Sequence, residues 1–190
     1  RNKEKYTAVT LHKVDDDFNT GPIVVSEKIR LTQDHTYGML QEKLAYAATK
    51  LTGTLLKLLN FDMAIPGRPQ DPSKARYYQK QVAGDVSINW QVMDAAAIVA
   101  LINAGNPWNK GAITKFNHKA IRLLEATCTE TTTITALPGT LLSIDERGLI
   151  IAALNNQAVC VRVVYTDEGF LLAQRLTQFG AIPGARFGLV

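Results

Sequence analysis

Residues 35–59 constrain the fold of this chain more than any other stretch. Leu40, Leu44, Ala47, Leu51, Leu55 and Leu58 recur at spacings of four, three, four, four and three, which is one stripe of a helix. Asp34 or Thr36 can cap its start, because a short side-chain oxygen satisfies the free amides there. A helix this long with a one-sided stripe must pack on something. The residues before it offer two strand-like runs, 7–14 and 23–31, rich in Val, Ile and Thr. Two strands are too few for an independent sheet. The expectation is a larger sheet whose other strands lie upstream of Arg1.

Residues 60–87 break the helical pattern. Pro66-Gly67-Arg68-Pro69-Gln70-Asp71-Pro72 cannot continue a helix and reads as a linker over the surface. Asp94 can then cap a short helix that Gly105 ends, with Ile98, Leu101 and Ile102 on its buried face. From Gly111 the period changes. Residues 112–116, 120–126, 139–144, 148–154 and 158–165 read as short strands. Asn117-His118, Pro138-Gly139, Glu146-Arg147-Gly148, Asn155-Asn156 and Asp167-Glu168-Gly169 punctuate them. This spacing predicts a small barrel or sandwich, with residues 106–188 the part able to fold alone.

Charge is nearly even. Residues 1–105 hold 13 basic and 11 acidic side chains, and residues 106–190 hold 8 and 6, so each part is +2. Composition alone therefore shows no concentrated nucleic-acid face. No apolar run approaches the ~20 residues of a membrane span. The chain opens Arg1-Asn2-Lys3-Glu4-Lys5, without a secretory leader or a starting Met, so Arg1 is not expected to be the natural beginning. Cys128 and Cys160 form no Cys-x-x-Cys pair. They fit a reduced, cytoplasmic protein and read as small apolar strand residues. His12, His35 and His118 have no metal-ligand spacing, and no metal is expected.

The remaining signal is a set of motifs. Val9-Thr-Leu-His-Lys-Val-Asp-Asp-Asp-Phe-Asn-Thr-Gly-Pro-Ile-Val-Val25 places two apolar runs around an acidic turn that closes on Asn19-Thr20-Gly21-Pro22. Before it stands Asn2-Lys3-Glu4-Lys5-Tyr6-Thr7-Ala8. Downstream come Gln70 with Ala75-Arg76-Tyr77-Tyr78, Ile88-Asn89-Trp90, Ile102-Asn103-Ala104-Gly105-Asn106-Pro107-Trp108, Pro138-Gly139-Thr140 and Ile182-Pro183-Gly184-Ala185-Arg186-Phe187. In this order they resemble the folate-dependent formyltransferases, the family of methionyl-tRNA formyltransferase.

That resemblance implies an α/β Rossmann-like fragment of strands plus a long helix, followed by a small all-β OB-like barrel. Residues 1–60 would be the end of the formyltransferase domain, 61–90 a linker, and 91–190 the OB-like domain with its leading helix. The family's upstream Asn and His motif does not occur here, so the N-terminal half of the catalytic domain is expected to be missing and this chain alone inactive. The implied donor is formyl-tetrahydrofolate, a reduced folate, with tRNA or a sugar-nucleotide amine as acceptor.

In the family the Asp of Asp-Thr-Gly is catalytic; here Asn19 holds that position. A carboxylate can hold a histidine cation, whereas an amide can only hydrogen-bond. Asp15, Asp16 and Asp17 are a possible substitute, or simply a solvated acidic turn. The resemblance makes Val14, Asp15, Asp16, Asp17, Phe18 and Gly21 folate-binding, through backbone groups around the pterin. Lys74, Arg76, Lys80, Lys110, Lys115 and Arg122 are the candidate acceptor-binding residues. The alternative is a non-catalytic folate- or nucleic-acid-binding descendant, for which Asn19 speaks.

Overall fold

The computed structural model describes residues 4–79, 82–107, 110–129 and 135–188. It is strand-rich with few helices. Contacts divide it into two units: residues 4–32 with 39–80, and residues 33–38 with 81–190.

In the first unit, β1 (Tyr6–His12) and β2 (Ile23–Arg30) pair antiparallel, Tyr6 opposite Arg30 and Leu11 opposite Val25. Val9 and Leu11 are half-buried while Ala8 and Thr10 are exposed, the alternation expected of a strand with one covered face. Helix α1 (Tyr37–Asn60) carries the expected stripe. Ala47 and Leu51 are buried, and Leu40, Leu44, Leu55 and Leu58 are half-buried. Lys50 of the helix meets Glu27 of β2 at 3.1 Å. Apart from Ala47 and Leu51, no large or small hydrophobic side chain of residues 4–79 outside 33–38 is buried. The antiparallel pair and the helix alone make a thin layer.

The second unit holds the core. Helix α2 (Ala95–Gly105) starts where its cap requires: the Ala97 amide donates to the Asp94 carboxylate at 2.7 Å. Ile98, Leu101 and Ile102 are buried on it. Strands β3 (Ala112–Phe116), β4 (Lys119–Thr129), β5 (Leu141–Asp145), β6 (Gly148–Ala153), β7 (Gln157–Thr166), β8 (Gly169–Leu172) and β9 (Phe187–Gly188) form one sheet. Its order is β5-β6-β7-β4-β3-β9, with β8 on β7, all antiparallel. The sheet curls into a half-barrel. The Leu141 amide donates to Ala185 O and the Phe187 amide to Gly139 O, both at 2.8 Å, joining the two ends of the path.

Turn chemistry sets the register. Asn117-His118 and Asn155-Asn156 all take positive φ, the two-residue hairpin geometry that matches strand twist. Gly148 is required, since a Cβ there would stand 2.1 Å from Val161 O. The core gathers Ile88, Trp90, Ile98, Ile102, Leu123, Leu149, Val161 and Phe187. Trp90 Nε1 donates to Thr114 Oγ1 at 2.9 Å inside it. Among the described residues, no helix is long and apolar enough to cross a membrane.

Candidate functional site

The motif-bearing turn joins β1 to β2. The Lys13 amide donates to Pro22 O at 2.9 Å and closes its base. The ladder slips by one residue between Leu11 and His12, which turns the chain out of the sheet there. His12 Nδ1 donates to Lys13 O at 2.8 Å, a local bond rather than one aimed at the loop tip. Gly21 is buried, and a Cβ on it would lie 1.7 Å from Lys13 O. No other residue fits that backbone approach. Asn19 sits at φ 62°, in the left-handed region that asparagine enters more readily than most residues.

Residues from the Pro66–Pro72 stretch hold this turn. Gln70 Nε2 donates to Asn19 O at 3.0 Å and to Gly21 O at 2.7 Å. The Ile23 amide donates to Arg68 O at 2.8 Å, and the Arg68 amide donates back to Ile23 O at 2.9 Å. Lys13 Nζ donates to Ile65 O at 3.2 Å. The prolines forbid a helix and leave an extended strand-like segment free to bond in this way. Sequence reasoning marked Gln70 only as part of a resemblance; its role as the clamp is a tertiary contact with no local signature.

The loop tip is open. Val14 is 93% and Phe18 86% exposed, far beyond what a large apolar side chain ordinarily shows. Asp15, Asp16 and Asp17 are exposed, and the Asp15 carboxylate accepts from Thr20 Oγ1 at 2.8 Å. The turn thus brings Val14, Asp15, Asp16, Asp17, Phe18, Asn19 and Gly21 together on one short loop.

The candidate acceptor-binding residues divide between the units. Lys74 lies 3.2 Å from the Asp71 carboxylate. Hydrogen bonds from Ser73 and Lys74 hold the Asp71 carboxyl below the usual carboxylate range. Arg76 lies 3.3 Å from Glu4. Both pairs are largely exposed, so solvent screens them and each contributes little to stability. Lys80, like Trp108 of the motif series, lies outside the described residues. In the second unit, Lys110 Nζ stands 3.7 Å from the centroid of the Tyr165 ring. Arg122 is directly opposite Tyr165 in the β4–β7 ladder, and Lys115 is exposed on β3. Among the described residues, no group of three His, Cys, Asp or Glu side chains could hold a metal ion.

Comparison with known proteins adds the family. Residues 82–173 match the family described as formyl transferase, C-terminal domain. The chain is 29% identical over 151 residues to the methionyl-tRNA formyltransferase of Kosmotoga olearia, covering 80% of this chain and 48% of that protein. It spans about half the length of the curated relatives it matches, 48% and 50% for two of them. Among solved structures it superposes on HypX from Aquifex aeolicus in complex with tetrahydrofolic acid, with a TM-score of 0.69 and 18% identity, over 93% of this chain and 31% of that one. The N-formyltransferase from Helicobacter canadensis, solved with folinic acid and dTDP-3-aminofucose, gives 0.64 and 16%, over 84% and 56%. At these identities the two structures speak to fold alone.

Proposed function

We propose, from the match of residues 82–173 to the formyl transferase C-terminal domain, that the protein carrying this chain moves a formyl group from formyl-tetrahydrofolate to a primary amine. Methionyl-tRNA is the favoured acceptor. The observation that supports this reading is the Asn19-Thr20-Gly21-Pro22 turn, clamped by Gln70 and open at its tip. In this reading residues 1–60 are the end of a Rossmann-like catalytic domain, 61–90 a linker, and 91–190 an OB-like domain with its leading helix.

The loop's chemistry fits a reduced folate. Exposed Val14 and Phe18 offer apolar contact to a flat ring. Gly21 and the Gln70 clamp fix the backbone that would face it. When bound, the folate supplies the formyl group. The acceptor nitrogen attacks the formyl carbon, a new C–N bond forms, and the bond to the folate nitrogen breaks. One proton leaves the acceptor amine and one is gained by the folate nitrogen. Asn19 can hydrogen-bond in that relay but cannot carry the charge that an Asp would.

The second reading is a non-catalytic folate-binding descendant, favoured by Asn19 itself. One experiment separates the two. The full-length protein that carries this chain is given formyl-tetrahydrofolate with charged methionyl-tRNA or with a dTDP-amino sugar, and formylated acceptor is measured. Formyl-methionyl-tRNA is the expected product. Product only from the sugar overturns the acceptor. No product, with folate still bound, overturns catalysis.

A further inference from the structure

The carbonyls of Asn19 and Gly21 are held from outside their own turn. Both accept from Gln70 Nε2, at 3.0 and 2.7 Å, across 51 and 49 positions of sequence. A side-chain amide nitrogen carries two hydrogens, so one goes to each carbonyl. The peptide units that follow Asn19 and Gly21 are thereby oriented together. Thr20, between them, sends its hydroxyl to the Asp15 carboxylate at 2.8 Å, which ties the acidic arm of the turn to the other arm.

Gln70 reaches the turn because residues 65–70 are seated along its base as a strap, in the same unit as the turn itself. The Lys13 ammonium donates to Ile65 O at 3.2 Å. Arg68 exchanges both main-chain bonds with Ile23, a single rung of a third strand at the β2 edge. Gly67 packs on Pro22, where an added Cβ would lie 3.3 Å from the Pro22 Cβ. Past the clamp, the Asp71 carboxylate accepts from the Ser73 amide at 3.1 Å and the Ser73 hydroxyl at 2.7 Å, so the chain has a set conformation on either side of Gln70. Stability alone does not call for this arrangement. Gln70 is exposed. Water satisfies an exposed carbonyl as well, and ordering a long side chain costs rotamer freedom. What water cannot do is hold two peptide units in one orientation where Gly21, lacking a Cβ, leaves the backbone free to turn.

We propose that Gln70 is a positioning residue of the donor site: it holds the backbone of residues 19–21 in the shape that a reduced folate binds, and so sets where the Asn19 side chain stands. This role rests on the reading of the turn as the folate-facing loop. It adds to that loop a residue from the segment that the sequence marks only as linker. A ligand recognised through main-chain groups binds more tightly when those groups are fixed before it arrives, because less ordering remains to be done on binding. Gln70 touches neither folate nor acceptor in this role; it acts through the carbonyls of Asn19 and Gly21.

The test uses the full-length protein that carries this chain, with 5-formyl-tetrahydrofolate as the probe in a calorimetric titration. Gln70→Met keeps the length of the side chain and removes both donated hydrogens; Gln70→Lys keeps a donor of similar reach. Gln70→Met should weaken folate binding by roughly tenfold, the scale of two lost hydrogen bonds. Gln70→Lys should recover most of that loss. Thermal melting of Gln70→Met should stay near the parent's, since the side chain is exposed. In steady-state transfer the KM for formyl-tetrahydrofolate should rise and the KM for the acceptor should not. Equal folate affinity in Gln70→Met and the parent overturns the positioning role and leaves the formyltransferase reading standing. A parent that binds no folate overturns that reading and the positioning role with it. Folate binding that weakens alike in Gln70→Met and Gln70→Lys, or an acceptor KM that rises as much as the folate KM, assigns Gln70 to general packing of its segment and overturns the proposal.

Discussion

Gln70 and Asn19 lie 51 positions apart and meet through one hydrogen bond, from Gln70 Nε2 to Asn19 O at 3.0 Å. The same nitrogen donates to Gly21 O at 2.7 Å. One amide therefore fixes the backbone on both sides of Thr20. The clamp links the segment that leaves α1 to the β1–β2 loop.

Gln70→Ala should loosen that loop. It deletes two hydrogen bonds and leaves two carbonyl oxygens short of a partner, at about 1 kcal/mol each in local stability. Hydrogen exchange of the amides of Asn19, Thr20 and Gly21 should rise accordingly. Gln70→Glu should be worse at neutral pH, because a carboxylate then faces two carbonyl oxygens. Its exchange rates should fall toward those of Gln70→Ala as the pH drops below about 4 and the carboxyl regains a proton. Equal exchange in Gln70→Glu and the parent at neutral pH contradicts the clamp.

Thr114→Val tests the second unit. Thr114 is fully buried; its hydroxyl accepts from Trp90 Nε1 at 2.9 Å and donates to Gly188 O at 2.8 Å. Valine has the same shape and neither capacity. It should cost about 1–3 kcal/mol by stranding the buried indole N–H and leaving the half-buried Gly188 carbonyl without its donor. Urea unfolding followed by Trp fluorescence measures it, and Thr114→Ser should recover most of the loss.

Much of this fold can be read from the chain because local physics decides it. The stripe from Leu40 to Leu58 is the least exposed line on α1, and Asp94 caps α2 as its side chain predicts. Strand β3 falls on residues 112–116, as its apolar run between turns requires. Gly169–Leu172 and Phe187–Gly188 escape such reading, being too short to show a period, and the latter is a strand only because β3 lies beside it. In the site, Asn19 and Gly21 stand out by motif. Gln70's double bond to the loop depends on two segments meeting, and no local pattern encodes it.

The two cysteines should behave differently. Cys128 is exposed on β4, and Cys160 is buried on β7 with its Sγ toward Arg147 O. Desolvation pushes both thiols above their ordinary range, and for Cys128 the charge of Asp94 adds to it. Alkylation needs the thiolate. At neutral pH the folded protein should take up iodoacetamide at Cys128 only, slowly, and faster as pH rises. Cys160 should react after urea unfolding. Intact mass followed by peptide mapping reads the result; early labelling of Cys160 contradicts its burial.

Asn19→Asp addresses the chemistry. Asparagine here holds φ 62°, a conformation that aspartate also tolerates, so the exchange leaves the turn intact. The Gln70 bond is to the Asn19 backbone and survives as well. What changes is a single charge. If this position pairs a catalytic histidine, as the family resemblance implies, the full-length protein should bind a reduced folate and turn over slowly. Restoring the carboxylate should raise formyl transfer by orders of magnitude, given that the reverse change in a serine-protease triad costs about four decades. The pH profile should shift with it, because a carboxylate raises the pKa of an adjacent imidazole. Folate affinity should hardly change, which separates a catalytic effect from a structural one. Asn19→Ala should bind folate less well, since alanine pays roughly 1–2 kcal/mol for the left-handed backbone. A parent that is already fast, or an Asn19→Asp variant with the parent's rate and pH profile, removes Asn19 from the catalytic role.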